Sequence, residues 1–100
     1  MTTENVYNGH DNTIDLLLKA DGSAEDLSSV SRMTLEVGSN TVDSDVSGDA
    51  FDWDTGTTGK VILTLGAEGL TEGTYRATLT VYDADNANGI VWGTFILIVQ

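Results

Sequence analysis

Acidic side chains are the residues of this chain whose type and spacing could do chemistry. Asp43 and Asp45 lie close together, and Asp83 and Asp85 form a second pair in an Asp/Asn/Gly segment. Calcium takes about six to eight oxygen ligands, which loop carboxylates can supply, so these four residues are the candidates for a calcium site. The second pair does not follow the EF-hand pattern, since Ala87 stands at a ligand position. The other interpretation is that all four form turns and solvate the surface.

Acid–base and nucleophilic catalysis has little support in the sequence. His10 is the only histidine and lies in a polar N-terminal segment, whereas a triad needs a base held beside its nucleophile. Asp52 and Asp54 flank Trp53 and resemble paired carboxylates for glycoside hydrolysis, but a chain of 100 residues rarely has room for a cleft. The absence of cysteine excludes disulfides and thiolate metal sites. We therefore expect no enzymatic activity and no cofactor.

The charge of the chain restricts its partners. There are 16 Asp and Glu against four Lys and Arg, which gives a formal charge of −12. The basic residues stand singly and cannot neutralise a row of phosphates, so we expect neither nucleic acid nor a membrane surface as a partner. The N-terminus has no basic start followed by an apolar run and is not a signal peptide. The longest apolar run, residues 95–99, is too short to span a membrane.

The elements that must position these residues are strands. From Tyr75 onward apolar and polar residues alternate, which is typical of a strand with one face on a core. Shorter runs between Gly, Asn and Asp turns predict further strands at residues 13–20, 30–37, 40–43, 50–53, 60–65 and 90–99. About seven or eight strands without a helix predict an all-β, antiparallel β-sandwich. We expect it to span residues 13–100, and the polar residues 1–12 to form a flexible N-terminal arm.

Several motifs carry a family resemblance. Gly73-Thr74-Tyr75-Arg76-Ala77, with Leu70 before it, looks like the tyrosine corner of immunoglobulin-like sandwiches, in which a tyrosine bonds back to the upstream backbone. The other motifs are Lys-Ala-Asp-Gly at 19–22, Glu-Asp-Leu-Ser-Ser-Val at 25–30, the strand at 33–37 and Gly-Lys-Val-Ile-Leu at 59–63. Together they resemble the small immunoglobulin-like domains of tailed-phage structural proteins, such as the N-terminal domain of phage baseplate upper proteins.

This resemblance implies a function and a setting. The chain would be a non-enzymatic structural component of a virion, either a capsid decoration or a tail, baseplate or fibre adaptor. It would be made in the host cytoplasm and act through protein–protein contacts. Its partners would be other virion proteins and further copies of itself in a homo-oligomer or symmetric assembly.

The last predicted strand is apolar on both faces, unlike a strand with one wet face. One face holds Val91, Phe95, Leu97 and Val99, and the other holds the four interface candidates Ile90, Trp92, Ile96 and Ile98. Either both faces are covered within the domain, or one face is a contact surface. We expect the second arrangement, with Trp92 as the anchor of the contact. The alternative is a carbohydrate- or calcium-binding module, in which Trp53 or Trp92 stacks a sugar beside the loop carboxylates.

Overall fold

The computed structural model describes residues 2–20, 22–56 and 58–100 and confirms the predicted all-β sandwich. The strands are β1 (Thr3–Val6), β2 (Thr13–Leu17), β3 (Lys19–Ala20), β4 (Ser23–Ala24), β5 (Val30–Val37), β6 (Asn40–Asp43), β7 (Phe51–Trp53), β8 (Lys60–Thr64), β9 (Gly73–Asp83) and β10 (Asn86–Val99). One main sheet has the order β1-β10-β9-β5-β6, the other has the order β2-β8-β7, and β3 pairs with β4. Helical structure in the described ranges is limited to a 3₁₀ turn at Gly48–Ala50.

The core lies between the two main sheets. Alternating residues of the strands fill it, as their apolar period of two predicts. The buried strand residues include Met33, Leu35, Val37, Val61, Leu63, Ala77, Leu79 and Val81. Leu27 joins them from a loop, where its backbone N–H donates to the Gly56 carbonyl oxygen at 3.0 Å. The core therefore joins both sheets and the loop before β5 in one apolar cluster.

Tyr75 makes the predicted tyrosine corner at the start of β9. Its hydroxyl donates a hydrogen bond of 2.7 Å to the backbone carbonyl oxygen of Thr71. The ring packs so closely on Gly38 that a Cβ atom there would lie 3.0 Å from Tyr75 Cε1. Tyr75 thus fastens the loop before β9 to the sheet and packs against the turn that follows β5.

Tyr75→Phe should remove this hydrogen bond and keep the ring packing. We expect the free energy of unfolding to fall by about 1 kcal/mol, the usual contribution of one intramolecular hydrogen bond. Urea denaturation measures the change. Tyr7→Phe is the matched control, because Tyr7 is exposed and no described residue is hydrogen-bonded to its hydroxyl. Equal losses in the two variants would contradict a stabilising role for the corner.

The N-terminal segment is a strand over part of its length, so the prediction of a flexible arm at residues 1–12 is wrong for β1. Val6 is only 3% exposed and belongs to the core. β1 pairs in parallel with the end of β10, which makes the five-stranded sheet mixed rather than antiparallel. Local periodicity missed this strand because it is only four residues long and mostly polar. Met1 lies outside the described residues.

A bulge at Trp92 changes which residues of β10 lie on the same face of the sheet. Val91 pairs with Thr80 and Gly93 with the next residue of β9, Leu79, so Trp92 is the extra residue on its strand. A bulge inserts one residue and breaks the strict alternation of side chains. Ile90 therefore lies opposite Val81, on the core side, whereas Ile96 lies opposite Arg76, on the outer side. The sequence-based prediction assumed unbroken alternation through Trp92 and therefore wrongly assigned both isoleucines to one face.

Candidate functional site

The structure divides the four interface candidates into two pairs, so they do not form one contact face. Ile90 and Trp92 lie in the part of β10 that does not pair with β1, which together with β2 forms the open edge of the sandwich. Trp92 packs half-buried against the core. Ile96 and Ile98 lie half-buried on the outer face of the sheet, opposite Arg76 and Thr74. The expectation of a single adhesive face is wrong, because the bulge reverses the side-chain direction between the two pairs.

An apolar groove runs along the edge where β1 and β10 of one sheet meet β2 of the other. This edge groove has a volume of about 250 Å³. It is lined by Thr2, Glu4, Asp15, Leu16, Leu17, Leu18, Leu79, Trp92, Gly93, Thr94 and Phe95. Leu17 is 56% exposed. It interrupts the alternation of apolar and polar residues in β2, because it is an apolar residue at an outward-facing position. That interruption was the one sequence signal for the groove.

A second cavity, the end pocket, lies on the other side of Trp92. Its volume is about 260 Å³. It is lined by Glu25, Asp26, Leu27, Ser29, Val30, Val81, Asp83, Ile90 and Trp92. Each cavity is smaller than the roughly 300–1,000 Å³ of small-molecule sites, so each fits side chains better than a whole small ligand.

Along the edge groove, β10 pairs with β9 on one side only. β1 pairs with β10 only from Ile96 to Val99, and no described strand pairs on that side with residues 86–95. Val91 in this stretch is 62% exposed. A free strand edge with exposed apolar side chains is a template for another strand.

Both cavities are acidic. Glu4 and Asp15 line the edge groove, and Glu25, Asp26 and Asp83 line the end pocket. No lysine, arginine or histidine is among the described residues that line either cavity. The open edge therefore combines an apolar floor with uncompensated negative charge, which attracts cationic groups.

Three of the four calcium candidates, Asp43, Asp45 and Asp83, contact neighbouring groups of the chain. Asp43 forms an ion pair with Arg32, and Arg32 Nε also lies 3.5 Å from a carboxylate oxygen of Asp45. Asp83 Oδ1 accepts hydrogen bonds of 2.9 Å from the backbone N–H of Asp85 and from the Asn86 side chain. In residues 2–20, 22–56 and 58–100, no three His, Asp or Glu side chains are placed to hold a metal ion. These aspartates act in turns and in one ion pair.

The ion pair of Arg32 and Asp43 ties β5 to β6. Arg32 also lies over the Tyr82 ring of β9, with its guanidinium carbon 4.7 Å from the ring centroid. The hydrogen bond from Arg32 lowers the pKa of the Asp43 carboxyl, and a bond from the Asp45 backbone acts in the same direction. Hydrogen bonds from Thr58 and Gly56 likewise lower the pKa of Asp54.

The lowered pKa of Asp43 predicts a pH dependence of stability. A carboxyl with a lowered folded-state pKa stabilises the fold above its unfolded pKa and loses that contribution as the pH falls through the folded pKa. We expect wild type to be more stable than Asp43→Asn at pH 7 and this difference to shrink below about pH 4. Urea midpoints across this range measure it, with Asp49→Asn as the control at an exposed site. A difference independent of pH would contradict the ion pair.

Two further candidates of the sequence lie apart from the open edge. His10 is exposed, and no described hydrogen bond joins its ring to a carboxylate or hydroxyl. Trp53 is half-buried and packs against the core from β7, at the far side of the three-stranded sheet from β2. Trp92 is thus the one tryptophan that lines the cavities of the open edge.

These features define the chain as a β-sandwich domain with an open, acidic edge. No model of a known protein family matches the sequence, and no curated protein is similar enough to be identified as a relative. None of the helical structure in the described residues is long and apolar enough to cross a membrane. We therefore infer function from the geometry and charge of the edge.

Proposed function

We propose that the chain is a non-enzymatic protein-binding domain that works by protein–protein contact within a phage particle. The contact surface is the open edge formed by β2 and the unpaired part of β10. One observation carries this proposal: three of the five exposed large apolar side chains in the described residues, Leu17, Ile90 and Val91, lie at this edge. Exposed apolar side chains beside a free strand edge favour a protein partner.

The phage setting rests on the resemblance of the sequence motifs to immunoglobulin-like domains of phage structural proteins. The β-sandwich and the hydrogen bond of Tyr75 support that resemblance, since both belong to the expected architecture. Capsid decoration and attachment within the tail, baseplate or fibre are the roles that fit such a domain.

The test compares two variants in particles of the phage that encodes the chain. Val91→Asp places a charge on the free edge, where it opposes strand pairing. Val46→Asp makes the same chemical change at a position that is 85% exposed and outside the edge. Each variant is supplied in place of the wild-type chain, and mass spectrometry of purified particles measures its copy number.

We expect the Val46→Asp chain to occupy particles like wild type and the Val91→Asp chain to be depleted. Circular dichroism of each purified variant verifies that it is folded. Absence of the wild-type chain from particles would contradict a virion role. Equal occupancy by the two variants would show that the contact surface lies elsewhere.

A further inference from the structure

We propose that the open edge binds an extended, basic segment of another protein, which pairs with β10 and places lysine or arginine side chains against the carboxylates of the two cavities. This inference rests on the proposed protein-binding function and adds the conformation and charge of the partner. Extended segments that join a sheet edge gain affinity from backbone hydrogen bonds and specificity from pockets for alternate side chains. Both components are present at this edge.

The backbone component is centred on Thr94. The N–H of Ile96 donates to the Thr2 carbonyl oxygen at 2.9 Å, so it faces β1. Residues two apart in a regular strand point their backbone groups to the same edge, and no bulge separates Thr94 from Ile96. The N–H and C=O of Thr94 therefore face the edge just beyond the start of β1. An incoming segment would lie end to end with β1 and continue its line.

The side-chain component lies in the two cavities. In an extended segment, every second side chain would point towards the apolar floor that Leu17, Phe95 and Trp92 provide. Glu4 and Asp15 lie at one end of this path, and Glu25 and Asp83 lie beyond Trp92. Long basic side chains fit such a path, because their methylene stems cover apolar surface while their charged heads reach carboxylates.

Charge also decides between a second copy of the chain and a different partner. Each copy carries a formal charge of −12. All the charged residues that line the two cavities of the edge are Asp or Glu. Like charges placed face to face across an interface oppose association. A basic partner removes this repulsion and gains attraction at the same carboxylates. The observations thus favour a contact with a different, basic protein at this edge over a contact with a second copy of the chain.

The experiment uses short blocked peptides as probes. One alternates Lys and Val, one alternates Glu and Val, and one alternates Lys and Gly. In a Trp53→Phe background, the fluorescence of Trp92 reports binding, and amide hydrogen exchange at Thr94 reports strand pairing. The Glu4→Gln/Asp15→Asn chain removes two charges at the groove. The Asp49→Asn/Asp52→Asn chain removes two exposed charges elsewhere and matches it in net charge.

We expect the Lys–Val peptide to bind more tightly than the other two and to slow exchange at Thr94. Exchange at Phe95 should change little, because its backbone faces β9. The groove variant should raise the dissociation constant by about fivefold and the control by less than about twofold. Salt should weaken binding in both chains.

Each of the following results would overturn the inference. Equal weakening in the two charge variants would mean attraction to the whole acidic surface. Equal binding of the Glu–Val peptide would exclude charge recognition. Slowed exchange at Thr94 in the free chain at high protein concentration would identify a second copy as the occupant. These results do not depend on particle occupancy. If the Val91→Asp chain is depleted from particles as expected but the Lys–Val peptide does not bind, this inference is overturned and the proposed function stands.

Discussion

Gly59→Ala is expected to destabilise the domain by about 4 kcal/mol, a large part of the roughly 5–15 kcal/mol that holds a domain folded. Gly59 has a positive φ of 67°, which costs an alanine about 1–2 kcal/mol. A Cβ atom would also collide with the backbone carbonyl oxygen of Leu18 and lie 3.1 Å from the Glu25 nitrogen. These backbone atoms cannot turn away like a flexible side chain, because the Glu25 N–H donates to the Leu18 carbonyl oxygen at 2.9 Å and the Leu18 N–H donates to the Gly59 carbonyl oxygen at 2.7 Å.

Gly69→Ala separates the two causes. Gly69 has nearly the same φ, 68°, but a Cβ atom there would meet nothing within 4 Å. It should therefore cost only the conformational strain, about 1–2 kcal/mol. Thermal and urea denaturation of both variants measure the difference. If Gly59→Ala costs no more than Gly69→Ala, the close approach of Gly59 to the Leu18 backbone is incorrect.

Leu79→Ala is expected to cost about 2–5 kcal/mol, because it leaves a cavity in the core. Leu79 is 2% exposed and lies on β9, opposite Leu35 of β5 and Gly93 of β10. The loss should appear as a lower urea midpoint with an unchanged dependence on urea concentration.

Leu17→Ala makes the same chemical change on the exposed side of the edge groove. Because Leu17 is more than half exposed, its truncation should change the free energy of unfolding by about 0.5 kcal/mol or less. A loss comparable to that of Leu79→Ala would place Leu17 in the core and would contradict the open groove.

The fold class and most of the core could be predicted from the amino-acid sequence. Alternation placed Met33, Leu35, Leu63 and Leu79 inside, and the structure buries all four. The motif at Tyr75 predicted a bond to the upstream backbone, which Thr71 provides. These features succeed because they depend on short-range periodicity and local turn geometry, which a single segment contains in full.

The position of the open edge and the residues in it depend on contacts between distant parts of the chain. The parallel pairing of β1 with β10 joins residues more than 90 positions apart, and four mostly polar residues carry no local signal for it. The bulge at Trp92 depends on how β10 fits β9, and it alone directs Ile90 and Trp92 to the open edge and Ile96 to the outer face. The carboxylates of the two cavities come from β1, β2, the loop before β5 and the end of β9. These carboxylates come together only when the two sheets pack, so no local sequence pattern could predict that they share one edge.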